Sequence, residues 1–201
     1  MGKVFDEIDE KLAAWIGRQR MFFVGPAPSG SGGHVNVSPK GPIESLRILG
    51  PHEVAYQDVI GSGAETIAHL RDNGRIVVML CAFEGPPRIL RLHGRGEVVQ
   101  LGDPAFDEAL AAFDVDAAAA EERGARAVVR VEVTRIADSC GYGVPQMRVE
   151  AQRTQAAAWR ARQRAKHGPD ALRAYAAERN SRSIDGLPAV DPKMLSPGGR
   201  V

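Results

Sequence analysis

No run of roughly 18 apolar residues, the minimum for a helical membrane span, occurs anywhere in the chain, and cysteine is limited to Cys81 and Cys140. The first absence argues against a membrane protein. The second, with no CxxC or Cys/His spacing, rules out a disulfide framework or zinc motif and fits a reduced, cytoplasmic setting. Charge of one sign is also missing: 26 Lys and Arg stand against 25 Asp and Glu, a formal net charge of +1. Nothing in that balance calls for nucleic acid or an anionic lipid surface, so any anion site must be local. The opening "MGKVFDEIDEKLAAWIG" has no basic, apolar and small-residue series, so no signal peptide is expected. The chain also lacks GxGxxG between a strand and a helix, a Walker loop, HExxH and GxSxG. Its five histidines (His34, His52, His69, His93, His167) have no metal-ligand spacing and read as surface or structural groups.

What is present is a strand-rich chain with 44% hydrophobic residues in 201, enough for one well-buried core plus an appendage. Val4, Ile8, Leu12 and Trp15 or Ile16 recur at helical spacing and predict an opening amphipathic helix. Strand patterns follow at 20–25, 33–38, 44–50, 52–58, 75–83, 88–100 and 126–138, the spacing of an antiparallel sandwich or barrel. "VVMLCAF" is apolar throughout and predicts a central strand covered on both faces. "PAPSGSGG" reads as a flexible hairpin connection, since no GK[ST] follows it. Ser62-Gly63-Ala64-Glu65 has the form of a capping box ahead of a short helix that stops at Asn73-Gly74. Asp103-Pro104 opens a second helix, with Phe106, Leu110 and Phe113 on one face, ending before Gly124. Residues 1–148 are read as the main domain. From residue 149 the composition shifts to Ala, Arg and Gln, giving a helix to about Lys166 and another from Asp170 to about Arg179. The last twenty residues read as an extended tail.

Three stretches of polar residues could carry chemistry. In "HVNVSPKG" (34–41), alternation puts Val35 and Val37 on one face and His34, Asn36 and Ser38 on the other, ending near Lys40. That row is either a solvated edge or a strand end that delivers ligand contacts. The helix start at Ser62 offers backbone N–H groups to an anion, or simply caps itself through Glu65. In "PPRILRLHGRGEV", Arg88 and Arg91 fall on opposite faces, and each could make a surface ion pair or hold a carboxylate or phosphate.

In order, "FFVGPAPSGSGGHVNVSPKG" and "AYQDVIGSGAETIAHLRDNGRIVVMLCAFEGPPRILRLHGRGEV" resemble the pyridoxamine 5'-phosphate oxidase-like family, with "SCGYGVPQM" and "AERNSRSIDGLPA" similar to the C-terminal portion of an oxidase-related branch. The resemblance implies an antiparallel split β-barrel of FMN-binding type with peripheral helices and a C-terminal helical extension (149–201), packed on the barrel or on the partner subunit. It implies a homodimer with FMN between subunits, and an oxidoreductase acting on a small molecule. By the same resemblance Asn36, Ser38, Lys40, Asp58, Ser62, Thr66, Arg88 and Arg91 are the cofactor-binding residues. A non-catalytic flavin- or haem-binding relative, or a deazaflavin-dependent reductase, are the alternatives it leaves. Two departures separate the chain from oxidases proper. Glu65-Thr66 stands where they carry an adjacent Arg-Lys pair, and "LPAVDPKMLSPGGRV" lacks the Arg and Trp residues of their closing tail.

Overall fold

The computed structural model describes residues 2–195. Strand β1 (Val4–Phe5) precedes helix α1 (Glu10–Gly17), which Asp9 caps by accepting from the Leu12 N–H at 2.7 Å. The strands β2 (Phe22–Pro26), β3 (Ser38–Lys40), β4 (Leu46–Gly50) and β5 (Glu53–Val59) follow. Helix α2 (Glu65–Asn73) leads into the long hairpin of β6 (Arg75–Cys81) and β7 (Ile89–Gln100). Short helices α3 (Phe106–Ala111) and α4 (Ala117–Glu122) come before β8 (Ala125–Ser139), and α5 (Gln155–His167) and α6 (Ala171–Arg179) close the helical part. The pairs are all antiparallel, and the eight strands form one curled sheet ordered β3-β2-β6-β7-β8-β5-β4, with β1 on β8. This is a split barrel with peripheral helices, as expected.

Curling gives the sheet an inside. Phe22, Val24, Val54, Tyr56, Val78, Leu80, Leu90, Leu92, Val129 and Val131 meet there, each fully buried, with Leu12 and Ile16 of α1 plugging one end. Burying such side chains stabilises the fold by roughly 1.5–3 kcal/mol each. A second cluster lies on the other side, where Ile67 of α2, Phe106 and Leu110 of α3 and Leu172 and Ala176 of α6 cover Val128 and Leu101. The first half of β8 is therefore buried on both faces, and the second half alternates. A register shift between His93 and Gly94 keeps β7 and β8 in step. Gly94 is required there because a Cβ would lie 2.0 Å from the Glu132 carbonyl oxygen.

Several expectations are corrected. The amphipathic start is a two-residue strand followed by a helix that begins only at Glu10, because Val4 and Phe5 pair with Ala137 and Ile136. The predicted helix before Gly124 is two helices, broken where Asp114 turns to φ 55°. Strand β6 is fully buried on one face and half-buried on the other, so it is not covered on both sides. The described part of the tail is not extended. It folds back through an isolated bridge, Arg182 to Pro188, and buries Ala189, Val190 and Leu195 against the second cluster. Residues 196–201 of that predicted tail lie outside the described residues. No helix among the described residues is long and apolar enough to cross a membrane.

Candidate functional site

β3 is an edge strand, which is where Pro39 can sit without removing a ladder hydrogen bond. The predicted strand at 33–38 does not exist as such, since only Ser38 onward pairs with β2. Val35 and Val37 are 71% and 64% exposed, so they do not face the core. The segment is a loop, held by the Asn36 N–H to the Pro26 carbonyl at 3.3 Å and by His34 to Asp185. Its polar side chains still converge: Asn36 Nδ2 donates to Ser38 Oγ at 3.0 Å and to Thr66 Oγ1 at 3.3 Å.

Lys40 ends β3 and reaches across the open seam of the barrel to Asp58 on β5, with its Nζ donating to Oδ1. The other oxygen, Oδ2, accepts from Arg126 Nε at 2.7 Å. Arg126 is the extra residue of a bulge, because Asp58 pairs with Ala127 and Val59 pairs with Ala125. Bulges re-aim side chains, and this one turns an arginine inward, where its side chain is 4% exposed. Asp58 is itself fully buried. Burial pushes its carboxyl up, but Arg126 and then Lys40 outweigh burial and hold it at about 2. Lys40 and Arg126 together carry one positive charge more than the Asp58 between them, while Glu65, which also lines the pocket, accepts from the Ile184 N–H.

The rest of this pocket is built from the loop after β5 and the start of α2. A cavity of about 440 Å³ is lined by Asn36, Ser38, Lys40, Ser62, Thr66 and Arg126, with apolar contributions from Pro39, Val59 and Ile60. The expected capping box is not formed. The helix starts after Ala64 without a side-chain cap, and Glu65, which lines the same cavity, accepts from the Ile184 N–H at 3.1 and 3.2 Å. The first-turn N–H groups of α2 and the Ser62 hydroxyl therefore have no side-chain acceptor among the described residues. Gly74 closes the helix as expected, in the left-handed conformation at φ 73°.

Six of the sequence-derived candidates, Asn36, Ser38, Lys40, Asp58, Ser62 and Thr66, thus meet in one place. Arg88 and Arg91 do not. Arg88 Nε donates to Asp138 at 3.0 Å and its guanidinium lies 5.2 Å from the Phe5 ring and 5.0 Å from the Trp15 ring. Arg91 Nη1 donates to Ser139 at 3.0 Å. Arg91 shares a cross-strand row with Met79, Phe23 and Pro39, the face of the sheet opposite to Lys40, which pairs with Phe22 of the inner cluster. Arg88 lines a separate cavity of about 1230 Å³ with Trp15, Phe83, Asp138 and Met147. Within one chain these arginines belong to a different surface. Two site residues were missed: Arg126, which reads as an ordinary strand start, and Asn180, which accepts from Arg126 Nη1 at 2.7 Å. A bulge carries no periodic signal, and nothing in "AERNSRSID" distinguishes a buried asparagine.

The donor set fits a phosphate-bearing ligand. Lys40 and Arg126 supply charge, while Thr66, Ser62 and the uncapped helix start supply N–H and O–H donors. The apolar rim of Pro39, Val59 and Ile60 suits the flat ring system of FMN beside that phosphate. Fold and site together define a split-barrel protein with an anion pocket at the barrel seam.

Comparison with known proteins gives the family. No family model matches the chain. It is 38% identical over 204 residues to the pyridoxamine 5'-phosphate oxidase family protein ustO of Aspergillus flavus, covering 96% of this chain and 80% of that protein. The chain therefore belongs to the pyridoxamine 5'-phosphate oxidase family. Similar solved structures include HupZ of Group A Streptococcus, at 24% identity and a TM-score of 0.49 over 64% of this chain and 91% of that one. An FAD-binding protein of Mesorhizobium loti aligns at 13% identity and a TM-score of 0.46 over 69% and 96% of the two chains. An FMN-binding protein of Syntrophomonas wolfei aligns at 14% identity and a TM-score of 0.41 over 57% and 74%.

Proposed function

We propose that the protein is an FMN-binding oxidoreductase acting on a small molecule, and that it works as a homodimer with the flavin between subunits. The observation that carries this reading is the Lys40–Asp58–Arg126 network, two cations on one buried carboxylate, in the pocket that the uncapped start of α2 also lines. In that arrangement Lys40, Arg126, Thr66 and the α2 N–H groups hold the phosphate. Asn36 and Ser38, already linked to Thr66, present polar groups along the ligand's length. The flavin, when bound, supplies the electron transfer, so the chain's own task is to bind, orient and shield it. Glu65-Thr66 in place of two adjacent basic residues means that the positive charge for the phosphate comes from Lys40 on β3 and Arg126 on β8, not from side chains at the helix start. With the different tail, this favours a substrate other than a pyridoxine phosphate.

The test is a flavin titration followed by fluorescence and by the visible spectrum. The wild-type protein should take up FMN and show the bands of oxidised flavin. Lys40→Ala leaves Asp58 neutralised by Arg126 alone, so FMN affinity should fall by about 1.5–3 kcal/mol, whereas riboflavin, which lacks the phosphate, should bind as before. A colourless protein that takes up no added FMN overturns the reading.

A further inference from the structure

The C-terminal turn reaches the anion pocket through one side chain. Asn180 caps α6, its N–H donating to the Ala176 carbonyl, and its own carbonyl accepts from the Val190 N–H, both at 2.9 Å. Its side chain is fully buried and makes two contacts: Oδ1 accepts from Arg126 Nη1 at 2.7 Å, and Nδ2 donates to the Gly61 carbonyl at 3.0 Å. Arg126 has five N–H donors. Nε goes to Asp58, and Nη1 goes to the Gly63 carbonyl at 2.8 Å and to Asn180. That leaves Nη2, which donates to nothing among the described residues, at the pocket that Arg126 lines. Asp58 alone would leave the guanidinium free to swing. The two acceptors on Nη1 fix its plane, and Asn180 governs both of them, one directly and one by holding the 61–63 loop through Gly61.

We propose that Asn180 is a positioning residue that aims Arg126 Nη2 at the anion in the pocket, so that phosphate binding depends on the docked C-terminal turn. This rests on the flavin-phosphate reading of the same pocket. The residue type supports it. An amide both accepts from Arg126 and donates to Gly61, and it is neutral. A carboxylate of the same shape would keep the first contact, lose the second, and add a negative charge against the Arg126 guanidinium.

Asn180→Asp tests this with two ligands that differ only by the phosphate, FMN and riboflavin, titrated by flavin fluorescence quenching. FMN should bind at least about tenfold more weakly while riboflavin changes by less than about twofold, the loss expected when a charge-assisted contact is removed. Unchanged FMN affinity, or an equal loss for both ligands as a general structural defect gives, overturns the proposal. If Asn180→Asp does not fold, Asn180→Ala serves: it adds no charge, and should weaken FMN but not riboflavin, with the same two overturning outcomes. If the wild-type protein binds neither flavin, the cofactor reading fails on its own. The role of Asn180 is then read with inorganic phosphate, which should raise the Tm of the wild type more than that of Asn180→Asp. Equal rises overturn it.

Discussion

Asp58 is the residue on which the pocket turns, because its buried carboxylate bridges the part-buried Lys40 and the buried Arg126. Without it, Lys40 and Arg126 would be left in a desolvated site with nothing between them. Removing one partner of a buried ion network costs about 3–5 kcal/mol, so Asp58→Asn should lower Tm sharply in anion-free buffer. Phosphate should then restore more stability to the variant than to the wild type, since it supplies the missing negative charge. A loss that phosphate does not relieve would mean the two cations do not face the pocket. The pH dependence has a fixed sign. The folded carboxyl is held at about 2, below its ordinary 3.8. Its contribution is therefore complete above pH 3.8 and is lost as pH falls from there through about 2. Acid titration of Tm in the wild type should show that limb, and Asp58→Asn should lack it.

At the scale of elements, the long strands were legible because each carries a period the core imposes. β6 read as a strand from its continuous apolar run and β7 from its alternation, and Asn73-Gly74 marked the α2 stop through the left-handed glycine it needs. What was not legible is set by tertiary contact. The 34–37 stretch alternates like a strand, yet Val35 and Val37 stay exposed because the backbone is drawn off the sheet by partners 151 residues away. The S-x-x-E signal at Ser62 failed for the same reason, since Glu65 is claimed by Ile184. Asn36, Ser38, Lys40 and Ser62 were findable as polar residues at element ends and Asp58 and Thr66 only through the family resemblance, whereas Arg126 and Asn180 depend on a bulge and on a returning tail. The His34 contact is itself testable. Its ring Nδ1 and backbone N–H meet the Asp185 carboxylate at 2.7 and 2.8 Å. The Asp185 hydrogen bond, then its charge, raises the His34 pKa above 6.5. The His34 contact to Asp185 is complete below 6.5 and lost as pH rises through that raised value, while the depressed Asp185 keeps it down to below pH 3.8. An NMR titration of His34 should give a midpoint above 6.5 that falls in Asp185→Asn. No change in the midpoint would show that loop 34–37 is not held there.

At the scale of the molecule, the two arginines that the family resemblance assigns to the cofactor do not line the Lys40 pocket of their own chain; Arg91, in register with Pro39 through Met79 and Phe23, takes the opposite face of the sheet from Lys40. In the proposed two-fold dimer, the surface that carries them is set against the partner's pocket. Arg88 is the poorer probe, since it is stacked on Phe5 and Trp15 and its loss would disturb the docking of β1 and α1. Arg91 has a single hydroxyl partner, Ser139, and should tolerate removal. The proposed shared site then makes a prediction that a single-chain site does not. Lys40→Ala and Arg91→Ala homodimers should each bind FMN weakly. Unfolding and refolding the two together should return about a quarter of all sites to wild-type affinity, because each mixed dimer holds one site with both residues intact. FMN titration of the mixture would show that fraction as a tight phase, absent from either variant alone. If mixing restores nothing although mixed dimers form, Arg91 does not serve the partner's pocket and the flavin is held by one subunit.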